Sequence, residues 1–483
     1  MRIGFLLIFI SLLTISGLEF QPRPNIIIIL ADDLGYGELG CYGQSIIKTP
    51  YIDLLARQGI RFTQYYAGNT VCAPSRCALL TGKHTGHSDI RDNFEMGGFP
   101  DNEEKGQQPM QNDQFTIAHL LKQTGYHTAV IGKWGLGMPN NEGSPAIAGF
   151  DFFYGYADQK QAHNYYPSHL WINDQWDTLH NGYFSPHQKY SNDSIKLDDT
   201  YVEKHFTGPD YAPDLMRKQA LKFIDEQKDP FFLFYTLPMP HLGLQIPLNE
   251  IKPYTYLPDS PYLGQRQYLP QAHPRAVYAA MVSRLDTEVG MIMNKLKERG
   301  KEKNTIIIFI SDNGATVPGI GGADTRFFKS NGALKGYKMD LYEGGIRVPC
   351  IVSWPGKIKS GVTNNAVAAW DWLNTIADLT QTKKPEGSDG ISIKTTLFNS
   401  KAVQKQRLFY WEYHDGRVRA LRQGDWKLIR FSKTQRDELY FLPTDPGEQN
   451  NLAAKHPDQV EKLAILMKDA HAPSRIPAWN MYE

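Results

Sequence analysis

Cysteine is scarce in this chain, with four among 483 residues. Two disulfides at most could form, too few for a disulfide-framed scaffold of this length. Surplus charge of one sign is missing too: the formal net charge is +1. Nothing in that balance points to a nucleic-acid partner or to strong electrostatic steering of a substrate. No apolar stretch reaches the roughly 20 residues that cross a bilayer, so no membrane span is expected. The nearest approach runs from Phe5 to Ile15, after Met1-Arg2 and before the small residues Ser16-Gly17. One basic residue followed by about eleven apolar ones is the pattern of an export signal. Residues 1–20 therefore read as a signal peptide, and the mature chain as periplasmic or secreted. No cysteine follows closely enough to carry a lipid anchor, Cys41 being too distant. Internal repeats and low-complexity linkers are also absent.

What is present is length and aromatic content. The length fits one large domain plus a smaller one. Aromatics make up 12% of the residues, with 26 Tyr and 9 Trp. Such a content suits stacking against sugar rings, although aromatic cores are the commoner use.

Two continuous apolar runs dominate the pattern: Asn25 to Leu30 and Thr305 to Ile310. Runs without alternation are expected of central strands covered on both faces. Each stops in polar residues, Ala31-Asp32-Asp33 and Ser311-Asp312-Asn313. Strand C-terminal ends are where open α/β sheets place their ligands. Thr49-Pro50 opens a helix, with Thr as N-cap, and Gly59 closes it. Ile117, Leu120 and Leu121 mark a second helix, and a strand over Thr128 to Ile131 delivers Gly132-Lys133-Trp134. Residues 150–230 read as an irregular, aromatic, loop-rich insertion that includes Gln161-Ala162-His163-Asn164. A further strand, Phe231 to Tyr235, leads into Pro240-His241, and a helix spans about Pro274 to Arg299, apolar along one face. Beyond about residue 400, short strands of mixed polarity alternate with turns and end in a helix from Pro457 to Ala470. The fold expected is α/β. Residues 21–400 form a catalytic domain with a large mixed sheet between helices, and residues 401–483 a small antiparallel-sheet-plus-helix subdomain.

Asp32, Asp33, Asp312 and Asn313 offer oxygen alone, which suits Ca2+ or Mg2+ better than zinc. Either pair taken singly fits an ordinary turn or helix cap as well as a metal. Both pairs following the two most apolar strands favours a metal. Cys72 follows the turn-like Gly68-Asn69-Thr70, and Ala78-Leu79-Leu80 reads as the start of a buried helix. The cysteine then lies near a helix N-terminus, where backbone N–H groups favour an anion. The plain alternative is a buried structural thiol.

The string Cys72-Ala73-Pro74-Ser75-Arg76, running on to Leu80-Thr81-Gly82, resembles the signature of the formylglycine-dependent sulfatases of the alkaline-phosphatase-like superfamily. Further blocks resemble the family in order: Ala31-Asp32-Asp33, Gly132-Lys133-Trp134, Pro240-His241, Asp312-Asn313-Gly314, Lys338 running into Leu341 to Pro349, and Gly424-Asp425-Trp426-Lys427-Leu428. The resemblance spans about residues 25 to 455. It implies that a maturation enzyme converts Cys72 to formylglycine, whose hydrate supplies the nucleophile. It implies one Ca2+ bound by Asp32, Asp33, Asp312 and Asn313, with residue 72 alongside. Arg76 and Lys133 would hold the hydrate, Lys133 and Lys338 would neutralise the sulfate, and His241 would act as acid at the leaving oxygen. With Cys72 set aside, Cys41, Cys77 and Cys350 are an odd number, which argues against disulfides.

The implied substrate is a sulfated oligo- or polysaccharide. The aromatic stretch around Tyr165-Tyr166 and Trp171 favours this, as does the likeness of Pro240 to Gln245 to carbohydrate sulfatases. A phosphodiesterase or phosphonate monoester hydrolase of the same superfamily is the nearest alternative. A sulfated-glycan binding protein would fit if Cys72 stays a thiol. One position departs from the family. Many sulfatases read Gly-Lys-Trp-His-Leu-Gly, whereas this chain reads Gly132-Lys133-Trp134-Gly135-Leu136-Gly137. The missing imidazole leaves a proton acceptor to be found. His163 is the first expectation, reaching into the vacated space or touching substrate beside it, with His84 and His87 behind it.

Overall fold

The computed structural model describes residues 23–190, 196–228 and 230–481. The expected signal peptide lies outside the described residues. None of the described helices is long and apolar enough to cross a membrane.

The main sheet is built from β1 (Asn25–Ala31), β2 (Ile60–Tyr66), β3 (His127–Lys133), β4 (Phe152–Tyr156), β5 (His169–Ile172), β6 (Gln175–Thr178), β7 (Phe231–Thr236), β8 (Thr305–Ser311), β9 (Arg347–Ser353), β10 (Gly361–Thr363) and β11 (Val367–Ala368). Its order is β10-β2-β9-β8-β1-β7-β3-β4-β5-β6, with β11 also on β2. The centre is parallel: β1 lies between β7 and β8, pairing Ile28 with both Phe234 and Ile308. β9 runs antiparallel to β8, which makes the sheet mixed.

The unbroken apolar run of β1 has a direct cause. Successive side chains point to opposite faces, and here both faces are core. Ile27 and Ile29 join one hydrophobic cluster, while Ile26, Ile28 and Leu30 join another. The helix Pro274–Glu298 covers the first face through Met281, Leu285, Val289 and Ile292. The helix Cys72–Thr81 covers the second through Ala73, Cys77 and Leu80.

A second sheet, β12 (Leu408–Tyr413), β13 (Val418–Gln423), β14 (Trp426–Phe431) and β15 (Arg436–Phe441), is antiparallel throughout. One face packs Leu421, Leu428 and Leu439 under Leu463 and Met467 of the helix Pro457–Asp469. The other sets Phe409, Trp411 and Ile429 against Tyr66, Val71 and Trp370 of the main body.

Three expectations change. Residues 150–230 are not a loop-rich insertion: β4, β5 and β6 extend the main sheet, and helices occupy Asp199–Phe206 and Ala212–Glu226. Their aromatic and polar residues hide the alternation, while β4 takes its register from β3, with Val130 opposite Phe153. Thr49 precedes its helix as expected, but its hydroxyl accepts from the Gly40 N–H at 2.8 Å and does not cap the helix. The free N–H groups of Tyr51 and Ile52 donate instead to the Asp286 carboxylate, at 3.2 and 2.7 Å. An acid at that end satisfies both the orphan donors and the dipole. The helix bearing Cys72 begins at Cys72 itself, six residues earlier than the apolar triplet Ala78 to Leu80 suggested.

Candidate active site

The site is laid out by register. Ala31 of β1 lies opposite Ser311 of β8, so the residues that follow emerge level with each other. Asp312 N–H donates to the Ala31 carbonyl at 3.1 Å, and Asp33 N–H to Asp312 Oδ1 at 3.1 Å. Asp33 has a positive φ of 64°, a left-handed conformation that costs a non-glycine residue roughly 1–2 kcal/mol. In it the Asp33 carboxylate accepts from Thr316 Oγ1 at 2.8 Å, Asn313 Nδ2 at 2.7 Å and Lys338 Nζ at 2.9 Å.

Cys72, the first residue of its helix, is buried with Sγ 3.3 Å from Asp32 Oδ1. Lys133 Nζ and Lys338 Nζ each stand 3.5 Å from that sulfur. Lys133 also donates to Asp32 Oδ2 at 2.6 Å. Arg76, one turn along, reaches Asp312 at 2.9 Å and Asp32 at 3.2 Å. Its second nitrogen donates to the Lys133 carbonyl at 2.5 Å. Arg76 is thus held behind the carboxylates, outside the lining of the cavity that Cys72 faces. Ser75 anchors the same turn by donating to the Asp312 carbonyl at 2.5 Å.

Charge follows from this packing. Burial alone would raise the Asp32 carboxyl, but Lys133, His241 and Arg76 outweigh it and hold it well below the usual carboxylate range. Asp312 goes the other way, pushed up to about 7 by burial and by the charge of Asp32. Burial and Asp32 together push the Cys72 thiol up. His241 sits against the Leu242 carbonyl at 2.5 Å through Nδ1. A carbonyl only accepts, so Nδ1 carries the proton and Nε2 faces Asp33, at 3.7 Å. Burial and Lys338 pull its pKa down to about 4. His163 stacks on His241 with centroids 5.0 Å apart, and its Nδ1 meets His187 Nε2 at 3.1 Å.

These groups line one cavity of about 200 Å³, walled by Cys72, Lys133, Lys338, His241 and His163 and rimmed by Glu95 and Tyr268. The donor set beside it fits a hard cation. Asn313 Nδ2 donates to Asp33 and to the Gly314 carbonyl, while its Oδ1 is buried without a hydrogen-bond donor among the described residues. An orphaned amide oxygen among three carboxylates is a donor set of the kind a calcium-like ion takes. Arg76, Lys133 and Lys338 already match the three carboxylates in charge even when Asp312 is ionised. A divalent ion would leave the pocket net positive, suited to an anionic ester.

His84 and His87 take no part. Their rings stack at 4.4 Å and both turn to Asp389, beyond the other end of the Cys72 helix. The space beside Gly135 is filled, though not by His163. Gly135 has a φ of +74°, and a Cβ there would lie 2.7 Å from Cγ of Gln159 and 3.0 Å from its Oε1. Sequence reasoning missed Gln159 because Asp158-Gln159-Lys160 has the texture of a surface turn; only its packing over Gly135 marks it. Thr316 and His187 were missed likewise, since each matters through one partner distant in sequence. The four cysteines are all free.

A mixed sheet sandwiched by helices, with buried carboxylates at its strand ends and two lysines beside them, belongs to an alkaline-phosphatase-like hydrolase. The chain belongs to the sulfatase family, whose pattern matches residues 24–382, and is a sulfuric ester hydrolase. Residues 337–472 match the C-terminal family of N-sulphoglucosamine sulphohydrolase. Human arylsulfatase A is 30% identical over 494 residues, covering 93% of this chain and 88% of its own. N-acetylgalactosamine-6-O-sulfatase of Bacteroides thetaiotaomicron is 29% identical, covering 93% of each chain. Among solved structures, Ps i-CgsB in complex with k-i-k-neocarrahexaose superposes with a TM-score of 0.76 at 26% identity, covering 95% of this chain and 94% of that one. Phosphonate monoester hydrolase of Agrobacterium radiobacter, at 18% identity and a TM-score of 0.64, shares the fold.

Proposed function

We propose that this protein hydrolyses sulfate esters on a sulfated oligo- or polysaccharide, releasing inorganic sulfate outside the cytoplasm. The observation that carries the reading is Cys72 at the cavity floor, with two lysine ammonium groups each 3.5 Å from its sulfur. The carbohydrate assignment is supported by relatives named N-acetylgalactosamine-6-sulfatase or N-acetylgalactosamine-6-O-sulfatase and by the neighbour solved in complex with k-i-k-neocarrahexaose. In this reading Cys72 is matured to formylglycine by a generating enzyme, and the hydrate supplies the attacking hydroxyl. Asp32, Asp33, Asp312, Asn313 and residue 72 would hold one Ca2+, which when bound supplies charge against the sulfate. Lys133 and Lys338 neutralise the sulfate oxygens, and Arg76 fixes Asp32 and Asp312. His241, with Nδ1 committed to Leu242, presents Nε2 to the leaving oxygen. The chemistry is chiefly positioning and electrostatic stabilisation. Residues 21–400 would form the catalytic domain and 401–483 the subdomain that buttresses it.

One preparation tests the reading. Elemental analysis should give about one calcium per chain, in keeping with oxygen-only ligands, and sulfate esters should be cleaved in preference to phosphate diesters. Stoichiometric zinc, or preference for the diester, refutes it.

His163 stands behind His241, and we assign it to the proton traffic of sulfate release or to a contact with substrate. In a His163→Ala enzyme, covalent sulfate accumulating on residue 72 after one turnover marks the first role. A raised KM with normal release marks the second. Unchanged kinetics remove it from the site.

A further inference from the structure

Gln159 is 2% exposed and lines the cavity together with Cys72, Lys133, His163 and His241. Its amide orientation is set by a neighbour. Asn93 Oδ1 accepts from the Ala73 N–H at 3.0 Å, so Gln159 must turn its donor, Nε2, towards that oxygen, at 3.5 Å. The carbonyl oxygen Oε1 then lies over Gly135, buried and without a hydrogen-bond donor among the described residues. A buried acceptor left unmade costs about 1–3 kcal/mol, and the residue that carries this one lines the reaction cavity.

We propose that Gln159 determines specificity by accepting a hydrogen bond from a hydroxyl or amide N–H of the sugar, next to the sulfated carbon. The sulfate itself is ruled out as its partner, because sulfate oxygens only accept and would be repelled by Oε1. A proton-taking role is ruled out as well, because a neutral amide does not titrate near neutral pH. Gly135 belongs to the same device: any side chain there would displace Gln159, so the absent imidazole leaves room for an uncharged acceptor.

This inference rests on the carbohydrate sulfatase reading, and the experiment separates the two. Wild type and Gln159→Met, both matured and calcium-loaded, are assayed on sulfated monosaccharides and on a plain aryl sulfate without hydroxyl groups. Methionine keeps the length and apolar volume but removes the acceptor. The expected result is a loss of about tenfold in kcat/KM on the sugar, the size of one neutral hydrogen bond, with the aryl ester changed less than twofold. A sugar substrate lacking the matching hydroxyl should be cleaved equally well by both enzymes, since the two deletions remove one interaction. Should Gln159→Met not fold, Gln159→Asn, which withdraws the oxygen by one methylene, is expected to give the same split. Equal turnover of the sugar by wild type and variant overturns the proposal. Equal losses on both esters overturn it too, placing Oε1 against the nucleophile rather than the sugar. Wild type that cleaves the aryl ester but no sulfated sugar overturns the carbohydrate reading and this inference with it.

Discussion

Cys72→Ala is expected to fold as wild type does and to retain less than about a hundredth of its turnover, since removing even one key stabilising group costs about 10²–10³. The fold survives because little depends on the thiol. Residue 72 opens its helix, where alanine is at least as favourable. Lys133 and Lys338 keep their carboxylate partners, Asp32 and Asp33, at 2.6 and 2.9 Å. Turnover does not survive, because no other nucleophile stands in place among the described residues. The hydroxyl of Thr316 also lines the cavity, but it donates to Asp33 at 2.8 Å and is fixed there. The native thiol is no substitute: burial and Asp32 raise its pKa, whereas a reactive cysteine needs a depressed one. Enzyme in which residue 72 has not been matured should therefore be as inactive as the alanine variant. Steady-state assays paired with mass spectrometry of the Cys72 peptide check both statements. Turnover above about a hundredth of wild type in Cys72→Ala would place the nucleophile elsewhere.

The parts of this site that sequence disclosed are those written into the backbone pattern. Two doubly covered strands produce unbroken apolar runs, and their ends carry Asp32, Asp33, Asp312 and Asn313 in adjacent register. Strands with weaker patterns escaped notice. β2 reads Ile-Arg-Phe-Thr-Gln-Tyr-Tyr and shifts register between Phe62 and Tyr65. β15 places Arg436, Asp437 and Glu438 on a strand whose hydrophobic residues come only at its end. Side-chain direction was less legible still. Arg76 was expected to hold the hydrate; its guanidinium pairs with Asp32, Asp312 and the Lys133 carbonyl and keeps a buried Nε unpartnered among the described residues. Gln159 became visible only through Gly135, twenty-four residues away in sequence, because the reason for each is the shape of the other.

Lys427→Met should destabilise the protein by about 3–5 kcal/mol near pH 8, the cost of stripping the partner from buried carboxylates. Lys427 on β14 is fully buried, with Nζ 2.9 Å from Glu343 Oε1 and 2.9 Å from Glu448 Oε1. Against burial, Lys427 and Arg347 hold Glu343 down to about 2. Burial and the charge of Glu343 hold Glu448 up, to about 7, despite Lys427. The signs differ accordingly. Stability from Glu343 is present above the ordinary carboxylate pKa and lost as pH falls towards 2. Stability from Glu448 is complete below its ordinary pKa and drains as pH rises through about 7. Without Lys427, burial is opposed at Glu343 by Arg347, Arg422 and Tyr66 and at Glu448 by the Glu343 N–H, so both carboxyls shift towards the protonated form in the folded state. The native state then binds more protons than the unfolded one, and stability falls as pH rises. The deficit of Lys427→Met should consequently be largest at pH 8 and shrink by pH 5. The damage should also reach the active site. Glu343 opens the turn whose Gly344 N–H donates to the Lys335 carbonyl at 2.7 Å, three residues before Lys338. Chemical unfolding of both proteins at pH 5 and 8 reads the effect. Equal stability at pH 8, or a deficit that grows on acidification, would show that the C-terminal sheet is held by its apolar face alone.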